Sequence, residues 1–266
     1  MAGCAPQTGD NPSGTWSKAQ PKTIQDGIEI PLFTSPAAQL NHAMSGFRDK
    51  KEKSAALRAV ITLFPDCLLE RGHAALGLAY LHLEPDYRFA RPLDVRKAAN
   101  DFQAVLTDYA FLPDIQAKAH WYLGWIYTTL DGQPEKGQAH FHTIVQNFSQ
   151  VPMNLSPPTP WANLVYSHPP SRAESVTQKT LIKYWSQIAL LEIVRHGTRD
   201  EAVTAFDTLY DKFFTSTETG LALKTMLSNE KLALHARPLV EKYLARFTAN
   251  PYLARDILRL AKGNIP

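Results

Sequence analysis

Cysteine is scarce. Cys4 and Cys67 are the only two in 266 residues, too few for a disulfide framework and wrongly spaced for a metal site. A Cys-x-x-Cys-His haem attachment motif is absent. No stretch approaches the roughly 20 consecutive apolar residues of a membrane-spanning helix. Charge of one sign is lacking too: 28 basic and 25 acidic residues leave a formal net charge of +3. The densest basic stretch, Arg48-Asp49-Lys50-Lys51-Glu52-Lys53, is broken by acids and reads as a solvated helix face, which argues against nucleic acid as a partner. The 13 glycines are scattered near helix ends, so no phosphate-cradling loop forms. Neither a Gly-x-Ser-x-Gly elbow nor a His-Glu-x-x-His helix occurs. No segment sustains the two-residue alternation of a half-buried strand, and the whole chain reads as helical. Apolar residues at 44% and charged residues at 20% suit an ordinary protein able to bury a core.

Self-similarity is present. Leu76-Gly77-x-x-Tyr80 recurs 47 positions later as Leu123-Gly124-x-x-Tyr127. Each copy is followed by a small residue four before an aromatic: Ala98-x-x-x-Phe102, then Gly137-x-x-x-Phe141. Ala202-x-x-x-Phe206 repeats that second half more weakly. A fixed period of this length predicts stacked helical hairpins. Stacked hairpins expose extended surfaces that hold partners.

These residues resemble the signature of tetratricopeptide repeats over about Ser54 to Phe148, and more loosely from Thr180 to Phe214. The resemblance implies an all-α fold, a right-handed α-α superhelix of antiparallel helix hairpins. It also implies a packing role for each signature residue. The glycine or alanine lets the paired helix approach, the tyrosine fills the gap one turn on, and the small-x-x-x-aromatic pair completes the hairpin. His73 and His120 stand where a large aromatic is often found, and Glu84 to Leu93 reads as an insertion. Leu63-Phe64-Pro65-Asp66 ahead of one helix and Gln146-Asn147-Phe148 closing another are similar in style to envelope lipoproteins and periplasmic coordinators built on these repeats.

The start of the chain fits that style. Ala2-Gly3-Cys4 resembles a lipoprotein cleavage box, with Met1 where an aliphatic residue is usual, as though a leader had been replaced. The implied lipidation site is Cys4. Ala5 lacks the acidic residue that retains many lipoproteins in the inner membrane, so the resemblance favours the outer membrane. Ala5 to Gly27 is rich in Pro, Gly, Ser, Thr, Asn and Gln and predicts a flexible tether. Cys67, just after Phe64-Pro65, reads as a small buried hydrophobe.

Punctuation divides the chain into a tether at 1–27, N-terminal repeats at 28–149, a Pro-rich loop at 150–170 and C-terminal helical repeats at 171–266. Ser35-Pro36 opens a first helix through Leu40. A second runs from about Met44 to Phe64. Asp66 is expected to cap a helix to Leu83, Asp94 one to Tyr109, and Asp200 one in the C-terminal part. Pro113-Asp114 and Pro134 open a further pair. Shorter helices are expected at about Thr219–Asn229, Ala236–Phe247 and Pro251–Lys262. The Pro-rich loop carries Trp161 and Tyr166, and loops of this length are usually functional or disordered.

Chemistry is thin. His140-x-His142 places two imidazoles on different helix faces, which argues against a metal. Glu70 and Glu192 stand beside apolar residues, where a general acid of a cell-wall hydrolase is conceivable but a solvated or paired acid is the ordinary outcome. Trp121, Tyr122 and Trp125 lie on one helix and diverge by about 100° per residue, so at least one is expected to face outward. The candidate partner contacts are Trp161, Tyr166, Trp125 and His120, with Asn100, Gln103 and Gln138 as polar groove members. The expected function is a non-catalytic scaffold for protein–protein interaction that holds an extended or helical segment of a partner. It is tethered by lipid to the periplasmic face of an envelope membrane, with no cofactor and no metal. The alternatives are a cytoplasmic adaptor without lipid and a helical-repeat cell-wall hydrolase.

Overall fold

Asp26 and Gly27 both take positive φ, 54° and 77°. This pair makes the turn that matches strand twist, so an Asp-Gly dipeptide folds its flanks into a hairpin. Strand β1 (Lys22–Gln25) pairs antiparallel with β2 (Ile28–Pro31), Ile24 opposite Glu29. The chain is therefore not wholly helical. The tether expected at 1–27 ends earlier, because 22–27 belong to this hairpin. The computed structural model describes residues 21–45, 49–83, 91–153, 183–246 and 250–263. Everything else described is helix and short connections, and adjacent helices pack on one another.

The residues fall into two compact units: Met1–Leu123 with Asn154–Ala162, and Gly124–Met153 with Asn163–Pro266. In the first unit the hairpin is followed by α1 (Pro36–Ser45), α2 (Lys50–Leu63), α3 (Leu68–Leu81), α4 (Pro92–Asp108) and the body of α5 (Pro113–Trp125). Ser35 caps α1 by accepting from the Ala38 N–H at 3.0 Å, and Asp49 caps α2 by accepting from the Lys51 N–H at 2.8 Å. Each such cap contributes about 1 kcal/mol. Asp66 and Asp94 are not caps. Cys67 precedes α3 without a side-chain capping hydrogen bond, and Arg91 precedes α4 with Pro92 at the first turn. A proline there has a preset φ and lacks an N–H that would go unpaired anyway. Asp94 instead accepts from Arg91 Nε at 2.8 Å.

The core of this unit is aromatic. Tyr122 stacks on Phe102 at 4.6 Å and tilts against Tyr80 at 6.1 Å. Trp121 meets Tyr122 edge-on at 5.2 Å. Burying one such side chain stabilises by roughly 1.5–3 kcal/mol.

In the second unit, Ile126–Leu130 winds as a π-turn. Then come α6 (Pro134–Asn147), α7 (Trp185–His196), α8 (Arg199–Lys212), α9 (Thr217–Ser228), α10 (Glu230–Ala236), a 3₁₀ turn at Arg237–Leu239, α11 (Val240–Leu244) and α12 (Pro251–Ala261). The helix expected at Ala236–Phe247 is thus two short ones. Pro238 cannot donate to the preceding turn, so the helix breaks there. The cap of α8 is Thr198, not Asp200: Thr198 and Glu201 form a reciprocal capping box. Val151 and Met153 are clasped to Lys183 and Trp185. Trp185 N–H donates to Val151 C=O at 3.2 Å and Met153 N–H to Lys183 C=O at 2.6 Å. The two ends of the interval 154–182 therefore meet.

Candidate functional site

The signature residues are packing residues. Leu76, Ala98, Phe102, Leu123 and Phe141 are fully buried, and Tyr80 and Tyr127 are nearly so. A Cβ at Gly77 would sit 3.1 Å from both methyls of Leu57 and 3.3 Å from Met44 Sδ. A Cβ at Gly124 would sit 2.6 Å from the Phe141 ring. At Gly137 it would collide with Thr128 and, at 2.6 Å, with the Gly124 carbonyl oxygen. The contacts at Gly124 and Gly137 are too close for any side chain, so these two glycines set the spacing between their helices, while at Gly77 the flexible Leu57 and Met44 ends leave a little room. The π-turn begins two residues after Gly124. Thr128 Oγ1 donates back to Gly124 C=O at 2.9 Å, and Tyr127 stacks on His140 at 5.6 Å with Lys136 Nζ 3.9 Å over its ring.

Behind the signature in the first unit lies a charged cluster that periodicity did not reveal. Lys118 is 3% exposed, and its Nζ donates to Asp114 Oδ2 at 2.6 Å. His73 Nε2 lies 3.8 Å from the same oxygen, while His73 Nδ1 is buried without a partner among the described residues. Burial, helped by the Lys118 charge and opposed by Asp114, pushes His73 down to about 3. Burial also lowers Lys118, with Asp114 opposing. The imidazole is therefore neutral, and Asp114 opposes the cost of burying the Lys118 ammonium. The four-residue spacing of Asp114 and Lys118 was the available signal.

Two cavities are lined wholly by residues of one unit. In the first unit, a space of about 360 Å³ lies among Lys50, Ser54 and Arg58 of α2, Leu81 and His82 at the end of α3, and Asp101 of α4. Its charges are partly spent: His82 pairs with Asp101 at 3.0 Å and Arg58 with Asp26 at 3.4 Å. In the second unit, a space of about 510 Å³ lies between α6 and the α7–α8 turn. Glu135, Gln138 and His142 line it from α6, and His196, Thr198 and Glu201 from the turn and α8. Glu201 Oε2 accepts from the Thr198 N–H and hydroxyl at 2.8 and 2.7 Å, and Oε1 lies 3.1 Å from His142 Nε2. The Thr198 bonds, then His142, hold the Glu201 carboxyl below the usual range.

The expected contact residues fare unequally. Trp161 and Tyr166 lie outside the described residues, as does Cys4. Trp121, Tyr122 and Trp125 are 2%, 2% and 8% exposed, so none faces outward. Beyond its first turn α5 is buried at every position except the half-buried His120, polar Gln116 and Lys118 included. The indole of Trp125 is consequently closed to a partner in this arrangement. His120 is half-buried, and burial lowers its pKa. Asn100 and Gln103 are exposed, whereas Gln138 is buried. His140 and His142 do point apart, one to Tyr127 and the other to Glu201. Glu192 is paired, 2.7 Å from Arg195 Nη1 and 3.5 Å from His196 Nε2. Cys67 departs from its expected role. It is half-buried and disulfide-bonded.

Among the described residues, no group of three His, Cys, Asp or Glu side chains is placed to hold a metal ion. Nor is any helix among them long and apolar enough to cross a membrane. No protein-family model matches the chain, and neither a curated protein nor a solved structure is significantly similar to it.

Proposed function

We propose that this chain is a non-catalytic scaffold for protein–protein interaction in the bacterial cell envelope, built as a right-handed superhelix of tetratricopeptide-like hairpins and tethered to a membrane, the outer one favoured, by lipid on Cys4. The observation that carries the scaffold reading is the use of both signature copies. Their glycines and aromatics are consumed in helix-to-helix spacing, as an extendable stack of hairpins requires. The paired state of Glu192 fits a structural acid better than a proton donor in a cleft. A disulfide at Cys67 suits an oxidising compartment, since cytosolic thiols are kept reduced.

Fractionation of the native host followed by intact mass of the full chain tests the reading. A diacylglycerol-modified Cys4 in the membrane fraction is the expected result. An unmodified chain in the soluble envelope fraction removes the lipid anchor. Recovery only from the cytoplasm, or cell-wall cleavage by the pure protein that Glu192→Gln abolishes, overturns the whole reading.

A further inference from the structure

Helix α12 has two unlike sides. Leu253, Ile257 and Leu260 are buried on one of them. That side meets α9, where a Cβ added at Gly220 would sit 2.8 Å from Leu253. At about 100° per residue, Tyr252, Arg255, Leu258, Arg259 and Lys262 fall together on the other side, over a length of about 15 Å. All five are exposed, Tyr252 by 69% and Leu258 by 44%.

This stripe holds three cations and no acid. None of the three has an ion pair or hydrogen bond among the described residues. Asp256, the only acid of α12, lies at the margin of the stripe and accepts from Lys224 Nζ of α9 at 2.7 Å. Arg255 lies 5.7 Å over the Tyr252 ring, which leaves its N–H groups open. The outward face of a single helix is convex. A peptide or small ligand is held in a groove or cleft, whereas a bilayer is broad enough to meet such a face. The side chains suit that surface. Lysine and arginine stretch to charged headgroups, and tyrosine sits at the membrane–water boundary with its ring in the apolar layer and its hydroxyl in the wet one. Charge complementarity then selects an anionic lipid.

We propose that the outer face of α12 docks on the surface of an anionic phospholipid bilayer. Arg255, Arg259 and Lys262 meet the lipid phosphates, and Tyr252 and Leu258 sink among the headgroups. This contact goes beyond the lipid tether and does not need it, because a chain without lipid carries the same face.

The test is cosedimentation of the full, unlipidated chain with vesicles of phosphatidylcholine alone and of phosphatidylcholine with phosphatidylglycerol, at low and at high salt. Binding is expected to the anionic vesicles only, and to be lost at high salt. Arg255→Gln, Arg259→Gln and Lys262→Gln together should weaken it by more than about twentyfold, at roughly fivefold per charge. As many charges removed elsewhere, by Lys51→Gln, Arg96→Gln and Lys97→Gln, should weaken it by less than about threefold. Tyr252→Ser with Leu258→Ser should weaken vesicle binding by about three- to tenfold and leave binding to soluble polyglutamate unchanged. All these positions are exposed, and thermal melting checks that each variant folds as wild type does. If the serine pair does not fold, the glutamine sets still decide the matter. Equal binding to neutral vesicles, equal losses from the two glutamine sets, or indifference to the α12 changes would overturn the docking. Tighter binding to polyglutamate than to anionic vesicles would assign the face to an acidic protein segment and overturn it as well. Neither outcome touches the tether, which is judged from Cys4 in the host.

Discussion

The two copies of the signature, 47 positions apart, invite a residue-by-residue comparison. Gly77 faces the end of a flexible leucine at 3.1 Å, whereas Gly124 faces a rigid ring at 2.6 Å. His73 is 4% exposed, and its counterpart His120 is half-buried. Where the second copy carries Asp114 and Lys118, the first carries Cys67 and Arg71. Arg71 donates to the Pro65 carbonyl at 2.6 Å and bonds the Tyr109 side chain, with no carboxylate as its partner in a salt bridge among the described residues. After Tyr80 the first helix ends within a residue, at Leu81, while after Tyr127 the π-turn runs on to Leu130. One short pattern thus serves two environments. It specifies how close two helices come, and the surroundings decide how tightly that closeness is enforced.

The comparison is most easily broken at the buried charge. Asp114→Ala leaves the Lys118 ammonium enclosed without its carboxylate and should cost about 3 kcal/mol or more in urea unfolding. Arg71→Ala, at the position matching Lys118, should cost about 1 kcal/mol. Equal losses would mean that the two copies bear charge alike. Exchanging both members, Asp114→Leu with Lys118→Met, should recover most of the loss, because no uncompensated charge remains.

The glycines come next. Gly124→Ala should destabilise by about 1–3 kcal/mol through overpacking against Phe141. Gly77→Ala should be close to neutral, since Leu57 can give way and alanine gains roughly 0.5–1 kcal/mol of helix propensity. Adding Phe141→Leu to Gly124→Ala should restore stability by more than the two single changes predict, a coupling of at least about 0.5 kcal/mol.

The histidines give a smaller difference, with a definite sign. His73 is depressed to about 3 in the folded chain and lies near 6.5 when unfolded. The unfolded chain therefore takes up a proton that the folded chain refuses. Stability is complete above about pH 6.5 and falls as the pH drops from there toward about 3. His73→Gln should flatten the dependence of melting temperature on pH in that window. His120→Gln should flatten it less, since His120 is lowered by a shallower burial. A profile insensitive to His73→Gln would refute the burial argument.

Much of the helical layout was legible. Proline at the first turn placed α1, α5, α6 and α12 close to where they lie, because its geometry is local, whereas Pro92 opens α4 inside what reads as an insertion. The hairpin leaves a much shorter trace in the sequence. Strands of four residues show no sustained alternation, yet Asp26-Gly27 alone carried the signal. An outward-facing aromatic on α5 would require a helix with a single buried side. Trp121, Tyr122 and Trp125 show it enclosed on all sides, which depends on how many elements surround it and not on its own sequence. In the candidate site, Gln138 was identifiable as a polar residue on a helix bearing the signature. That its amide is buried without a partner among the described residues was not, because that depends on what α7 and α8, some fifty residues further along, place beside it.

What the sequence determined by itself is local: where helices start and break, and which glycine spaces them. Capping, proline geometry and the absence of a Cβ act within a few residues, so they can be read in order along the chain. The tertiary structure alone decided which charges are buried, which cysteine is bonded and which polar groups surround a cavity. Those outcomes turn on desolvation and on partners brought together from distant positions, and neither is written at any single place in the chain.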